Sequence, residues 1–356
     1  MRKSIDRLEA ERCLPKEVFV QLFSNYSTEI LQYSVSRANK IRSQSFGNAV
    51  YIRGLIEISS HCKNSCFYCG IRHANKKAQR YRLTKDDILA CAIKGYTLGF
   101  RTFVLQGGED SFFSAEIVAE IVKGIKQACP DCAVTLSLGE HPKEVYALWR
   151  DAGAERYLLR HETASPTHYA QLHPENLSWQ NRLSCLLSLK ELGYQTGTGF
   201  MVGSPGQTPE CLAEDMLLLH QLQPEMVGIG PFIPHADTPF GKETAGTIDA
   251  TLFCMALIRL MLPDALIPAT TSLITLHPQG REKGLMAGAN VLMPNLSPPA
   301  ERGKYLLYNG KAATGLESAE DVRALEQHLE EIGLQLTVGR GDYGSNQQGI
   351  CNVGFP

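Results

Sequence analysis

From residue 50 onward the chain alternates between two hydrophobic periods. Runs rich in β-branched and aromatic residues read as strands: YIRGLIEIS (51–59), RTFVLQ (101–106), AVTLSL (133–138), ERYLLRHE (155–162), YQTGTGFMV (194–202), MVGIGPF (226–232), LIPATTS (266–272) and ANVLMPN (289–295). The segments between them repeat their apolar residues every three or four positions. In TKDDILACAIKGYTLGF, Thr84 and Asp87 have capping-box spacing, and in SAEIVAEIVKGIKQAC, Ile117, Ile121, Val122 and Ile125 share one helical face. Strand then helix, eight times over, predicts an α/β fold, a single (β/α)8 TIM barrel rather than an open doubly wound sheet. In such a barrel the working residues stand at the carboxyl ends of the strands.

The flanks read differently. Residues 1–49 are expected to form a helical extension capping the barrel, and the barrel itself is expected over 50–300. A C-terminal extension over 301–342 carries ESAEDVRALEQHLEEIG, which spaces Val322, Leu325, Leu329 and Ile332 as one packed face. The tail from Gly339, Gly-rich and without an apolar period, is expected to be flexible, above all over 343–356.

Composition narrows the function. Lys and Arg number 35 against 37 Asp and Glu, so there is no overall basic field for sequence-independent binding of nucleic acid. No stretch approaches the roughly 20 apolar residues of a membrane span, and the charged start MRKSIDRLEAERC lacks a signal-like apolar run. A cytoplasmic protein is expected, with neither nucleic acid nor membrane as partner. Of eleven cysteines, three lie in HCKNSCFYCG (61–70), and the remaining eight are scattered without a disulfide spacing. Cys129 and Cys132 form a second close pair, CPDC, read as buried apolar thiols in preference to a redox pair.

Cys62, Cys66 and Cys69 follow the first strand, at its carboxyl end, with no fourth cysteine nearby. His61 or His73 could complete a tetrahedral zinc site. Three thiolates also suit a cubane iron-sulfur cluster with one iron left open to a small molecule. After the second strand, QGGED supplies Gly107 and Gly108, which permit close backbone approach, and the carboxylate of Glu109. In YLLRHETA, Arg160 and Glu162 are two apart and so share a side of a strand, with His161 opposite. The same period places Thr135 and Ser137 together, while Met201, Thr270 and Thr271 close other strands and Arg182 lies on a helix-like run.

The cysteine motif, with Tyr68 directly before Cys69, resembles the signature of radical S-adenosylmethionine enzymes, and QGGED resembles their Gly-Gly-Glu element. YLLRHETA, TGFMVGSPGQT, GPFIPHADTPF, IPATTS and GREKGLMAGANVLMPN further resemble the members of that family that mature FeFe hydrogenase, across roughly residues 45–342. The resemblance implies a barrel in which Cys62, Cys66 and Cys69 hold one 4Fe-4S cluster that cleaves S-adenosylmethionine to a 5′-deoxyadenosyl radical. It further implies that Tyr68, Gly107, Gly108, Glu109, Ser137, Glu162, Arg182 and Met201 bind S-adenosylmethionine. Thr135, Arg160, Thr270 and Thr271 would face a small-molecule or organometallic substrate.

An electron donor such as ferredoxin or flavodoxin is implied, and other hydrogenase maturases are possible partners. Some relatives carry a second, 2Fe-2S cluster; residues 306–325 contain no cysteine, so one cluster is expected here. Methylornithine synthase and biotin synthase share the motif and barrel and are the nearest alternatives. A non-catalytic iron-sulfur or zinc scaffold is the alternative of another class.

Overall fold

The computed structural model describes residues 1–311 and 317–344. Its centre is a ring of parallel strands. The first strand is interrupted at Arg53 into β1 (Ala49–Ile52) and β2 (Gly54–Ser59), and is followed by β3 (Thr102–Gly107), β4 (Ala133–Ser137) and β5 (Arg156–Leu158). Next come β6 (Gln195–Thr198) with its continuation β7 (Met201–Val202), then β8 (Met226–Val227) with β9 (Gly230–Pro231), and finally β10 (Val291–Leu292). Pairing runs without a break from β2 through β3, β4, β5 and β6 to β8. Met226 then bridges Leu266, Pro268 bridges Val291, and β10 lies beside β1 with Val291 opposite Tyr51, so the ring closes through a seventh strand reduced to single bridges. All eight strand runs expected from the sequence take part.

The two halves of the ring differ in regularity for a chemical reason. β2, β3 and β4 pair over four or five consecutive residues, with one register shift between Glu57 and Ser59, whereas the far side contains Gly197, Gly199, Gly228, Gly230, Pro231, Pro268 and Pro294. Proline removes a ladder donor and glycine weakens a strand, so pairing there fragments. β11 (Gln335–Thr337) pairs with the other edge of β1, Leu336 opposite Val50.

Helices surround the ring. Thr84 and Asp87 form the expected capping box, and Ser114, Ser178, Thr208 and Thr247 each accept an N–H of the first turn of their helices. The helix Ile248–Met261 is apolar almost all round, which suits its position. The ring lies inside it, and the N-terminal helix Thr28–Phe46 covers it from outside. The N-terminal helices Arg2–Glu11, Lys16–Asn25 and Thr28–Phe46 thus pack sideways on the outer layer, against Pro209–Leu222 and Ile248–Met261, where the sequence suggested a cap. Among the described residues no helix is long and apolar enough to cross a membrane.

The expected flexible tail needs correction at its start. The Arg156 guanidinium, fully buried at the amino end of β5, donates to the Asp342 carboxylate at 2.7 Å and to the Arg340 carbonyl at 2.7 Å. Arg340 in turn donates to Asp342 at 2.8 Å. Buried charge needs a partner, and residues 340–342 supply it; Ser345 to Pro356, the rest of the expected tail, lie outside the described residues.

Candidate active site

The cysteine loop is held in place by its own backbone. Lys63 N–H donates to the Glu109 carbonyl (2.8 Å), Phe67 N–H to Leu172 (3.0 Å), Gly70 N–H to Leu307 (2.8 Å) and His73 N–H to Asn64 (2.7 Å). Arg80, which sequence reasoning passed over, staples the loop by donating to the carbonyls of Ser60, Ile71, Arg72 and Asn75. Gly108 is needed because a Cβ there would stand 2.2 Å from the His61 carbonyl oxygen and 2.6 Å from Cys62 Cβ, so the end of β3 can lie directly on the loop.

All three thiols are half-buried and free. Cys62 Sγ accepts the N–H of Asn64 at 3.4 Å. Burial, and then the neighbouring thiols, push the Cys66 thiol well up and the Cys69 thiol up to about 12. As free thiols they are protonated at neutral pH, and metal binding has to displace those protons. Among the described residues no three His, Cys, Asp or Glu side chains are gathered as ligands of one ion. Three separate sulfurs, each on a preset backbone and one of them already receiving an N–H group, fit a multinuclear iron-sulfur cluster, in which each cysteine holds a different iron.

Beside the loop stand the carboxylates. Glu109 is buried, with Lys63 Nζ at 3.1 Å from Oε2 and the Glu140 N–H donating to Oε1 at 3.1 Å. Glu162 has φ +65°, in the left-handed region that side chains other than glycine rarely enter. Strand pairing ends at Leu158 and returns at this left-handed turn as a single bridge from Glu162 to Phe200. Arg160 and Glu162 nonetheless meet as expected, with Nη2 3.1 Å from Oε2, brought together by this turn and not by strand alternation. The contact is not aligned as a hydrogen bond, so Arg160 Nε and Nη2 and Glu162 Oε2 are buried without hydrogen-bond partners. Such groups are costly unless a ligand engages them.

His161 points the other way into a buried network: Nδ1 meets Thr198 Oγ1 at 2.9 Å and Nε2 meets Asp215 Oδ1 at 3.1 Å. Asp215 also accepts the N–H of Ala164, which fixes the turn on which Glu162 stands. Nothing in the local sequence around His161 announces Asp215, which comes from a distant helix.

Arg182 is buried, donating to Glu140 and, at 2.7 Å, to the Arg160 carbonyl. Tyr68 donates to His173 Nε2 at 3.1 Å, because His173 Nδ1–H is committed to the Tyr169 carbonyl at 2.9 Å. Met201 packs with Leu172 and Phe232 in a small apolar cluster that Tyr68 adjoins. Thr135 is buried with its hydroxyl unpartnered, and Ser137 lies two residues on, at the half-buried end of β4.

Thr270 and Thr271 sit at the start of the helix Thr271–Leu276, not on a strand. The Thr270 hydroxyl meets Ser272 (2.9 Å) and the Ile229 carbonyl (3.3 Å), and Thr271 donates to Glu317 at 2.8 Å. Glu317 and its partner Arg281 were not anticipated, because no short spacing links residues so far apart.

A cysteine loop of this spacing on the carboxyl end of the first strand of a (β/α)8 barrel defines a radical S-adenosylmethionine enzyme, and residues 56–219 match the family described as the Radical SAM superfamily. The chain is 45% identical to the [FeFe] hydrogenase maturase subunit HydE of Thermotoga maritima over 332 residues, 93% of this chain and 94% of that one. Within the superfamily, the chain therefore belongs to the HydE family. It is 28% identical to the 3-methylornithine synthase of Methanosarcina acetivorans, with 88% of each chain covered. The solved structure of methylornithine synthase (PylB) superposes with a TM-score of 0.79 at 26% identity, over 94% of this chain and 97% of that one.

Proposed function

We propose that the chain acts in hydrogenase maturation, in a step that builds the diiron subcluster of the FeFe-hydrogenase active site from a small-molecule or organometallic substrate. When bound, a site-differentiated 4Fe-4S cluster supplies one-electron cleavage of S-adenosylmethionine to a 5′-deoxyadenosyl radical. Cys62, Cys66 and Cys69 would hold that cluster. Gly107, Gly108 and Glu109 offer a carboxylate and open backbone to the methionine amino group. Ser137, Glu162, Arg182, Met201 and Tyr68 form the remaining wall of the cofactor site, the last two on the apolar cluster that suits adenine. Thr135 and Arg160, whose Oγ1 and whose Nε and Nη2 have no hydrogen-bond partner, face the substrate with Thr270 and Thr271. Residues 1–49 and 301–342 serve as extensions of the barrel at 50–300.

The observation that carries this reading is the near-full-length 45% identity to the HydE of Thermotoga maritima, together with the Arg160–Glu162 ion pair beside the loop, whose buried Nη2 and Oε2 have no hydrogen-bond partner. Absence of cysteine over residues 306–325 favours a single cluster. The test has two stages. Reconstituted protein with dithionite must release 5′-deoxyadenosine from S-adenosylmethionine. A hydrogenase maturation mixture lacking only this protein must then stay inactive; full activity without it refutes the maturase role and leaves a mutase-type reaction in its place.

A further inference from the structure

The segment from His61 to Arg82 contains Lys63, Arg72, Lys76, Lys77, Arg80 and Arg82 and no aspartate or glutamate. The rest of the chain is left with 29 basic against 37 acidic side chains, so this stretch of +6 stands against a remainder of −8. Residues 312–316 and 345–356 contain no charged side chain that could alter the balance. Three of the six charges meet carboxylates: Lys63 with Glu109 (3.1 Å), Lys77 with Asp237 (2.7 Å) and Arg82 with Asp110 (2.7 Å). Arg80 gives its N–H groups to backbone carbonyls, and Arg72 donates to the Ser65 carbonyl at 3.0 Å; both are hydrogen-bonded without being neutralised there. Lys76 is exposed.

Two of these charges, Lys76 and Arg80, line an open cleft of about 230 Å³ together with His61, His73, Asn75 and Cys62. One thiol of the motif therefore faces an accessible basic hollow. Met201 and Tyr68, on the apolar cluster assigned above to adenine, do not line it. A concave surface of one sign raises the local concentration of an oppositely charged partner and steers its approach. A patch confined to 22 residues on an otherwise acidic chain suits a small acidic protein better than an extended polyanion, which needs a long basic track.

We propose that this cleft docks a small acidic one-electron carrier protein of the ferredoxin class and is the route by which the electron reaches the cluster. The inference rests on the cluster reading above. In the step the carrier is oxidised by one electron and the cluster reduced by one, and no atom or group is transferred.

The test compares two reductants on the reconstituted full chain. Lys76→Glu combined with Lys77→Glu reverses two exposed charges and touches none of the residues assigned to cofactor or substrate. With a reduced acidic ferredoxin at low salt, release of 5′-deoxyadenosine is expected to slow roughly tenfold in this variant. With dithionite it should stay within about twofold of wild type. Lys76→Gln with Lys77→Gln, which removes charge without reversing it, should slow the ferredoxin reaction about threefold. Raising the ionic strength should slow the wild-type reaction with ferredoxin and leave the charge-reversed one nearly flat. Binding of ferredoxin to the chain in calorimetry should weaken in the same order as the rates, and equal ferredoxin affinities or equal ferredoxin rates in wild type and variants overturn the docking proposal. So does a wild-type dimer in sedimentation that the variant loses, since that assigns the face to a second copy of the chain. No 5′-deoxyadenosine from wild type with dithionite overturns the cluster reading itself, and is distinguishable because it precedes any docking.

Discussion

Two groups of closely spaced cysteines lie on the same barrel, and only one is equipped for chemistry. Cys129 and Cys132 end the helix Ala115–Ala128 just before the amino end of β4, both fully buried in the main hydrophobic core. Their turn is closed by the Cys132 N–H donating to the Cys129 carbonyl at 3.1 Å, and burial pushes the Cys132 thiol up to about 12 despite nearby Lys126. Cys62, Cys66 and Cys69 are half-buried at the carboxyl end of β2, with a backbone N–H group on Cys62 and Arg72 and Arg80 nearby. Spacing alone does not make a site. What separates the groups is the end of the barrel on which each lies and whether the backbone serves the sulfur.

The sharpest way to break that contrast is to remove one thiol from each group. Cys66→Ala should abolish the cluster absorbance and reduce 5′-deoxyadenosine release to background. Cys132→Ala should keep both within about twofold and lower stability by about 1 kcal/mol through the lost buried sulfur. If Cys132→Ala also loses the cluster, the contrast is wrong.

The next largest effect concerns the strained carboxylate. Glu162→Ala and Glu162→Gly should each cut S-adenosylmethionine cleavage by about a hundredfold, as expected for loss of a charge-assisted contact in a buried site. The glycine variant should be the more stable of the two by about 1 kcal/mol, because φ +65° costs glycine nothing. Equal stability in denaturant titrations would show that the turn is not strained.

Support behind the loop is open to a pH test. Burial lowers His173 to about 3 from its ordinary value near 6.5, so the folded protein keeps it neutral and the unfolded chain takes up the proton first. Its contribution to stability is whole above pH 6.5 and is lost as pH falls towards 3, amounting to about 2 kcal/mol by pH 5. His173→Asn should flatten stability against pH over that window; an unchanged slope would exclude His173 as its source. The smallest effect is expected from Thr135→Val. Replacing an unpartnered buried hydroxyl by a methyl should raise stability by about 1 kcal/mol. It should also lower turnover of the true substrate a few-fold without altering cleavage of S-adenosylmethionine.

Much of this was legible from sequence because it is periodic or local. Alternation of strand and helix foretold all eight runs of the ring, and the capping box at Thr84 and the packed face at Val322, Leu325 and Leu329 needed only short spacings. The cysteine loop, Glu109 and the meeting of Arg160 with Glu162 were visible for the same reason, although the turn that joins the last pair was not. Asp215, Glu317 and Arg281 escaped because they come from distant elements, and a lone Asp in an amphipathic helix looks like surface. Asp215 is in fact fully buried. The tail misled through its glycines: Arg340 and Asp342 are fixed by a buried arginine that the sequence places far upstream. Arg80 left a trace that went unread, as one of six basic residues in a stretch without a single acid.

The closure of the ring has a consequence in time. β1 is made early, yet its neighbours on either edge are β10 and β11, among the last described elements to be synthesised. At about 5–20 residues per second, the cysteines leave the ribosome on the order of ten to forty seconds before Val291 exists to seal the first strand. During that interval the thiols belong to a nascent chain without a barrel. The loop then lacks one of its own anchors, because the Leu307 carbonyl that accepts the Gly70 N–H is not yet made.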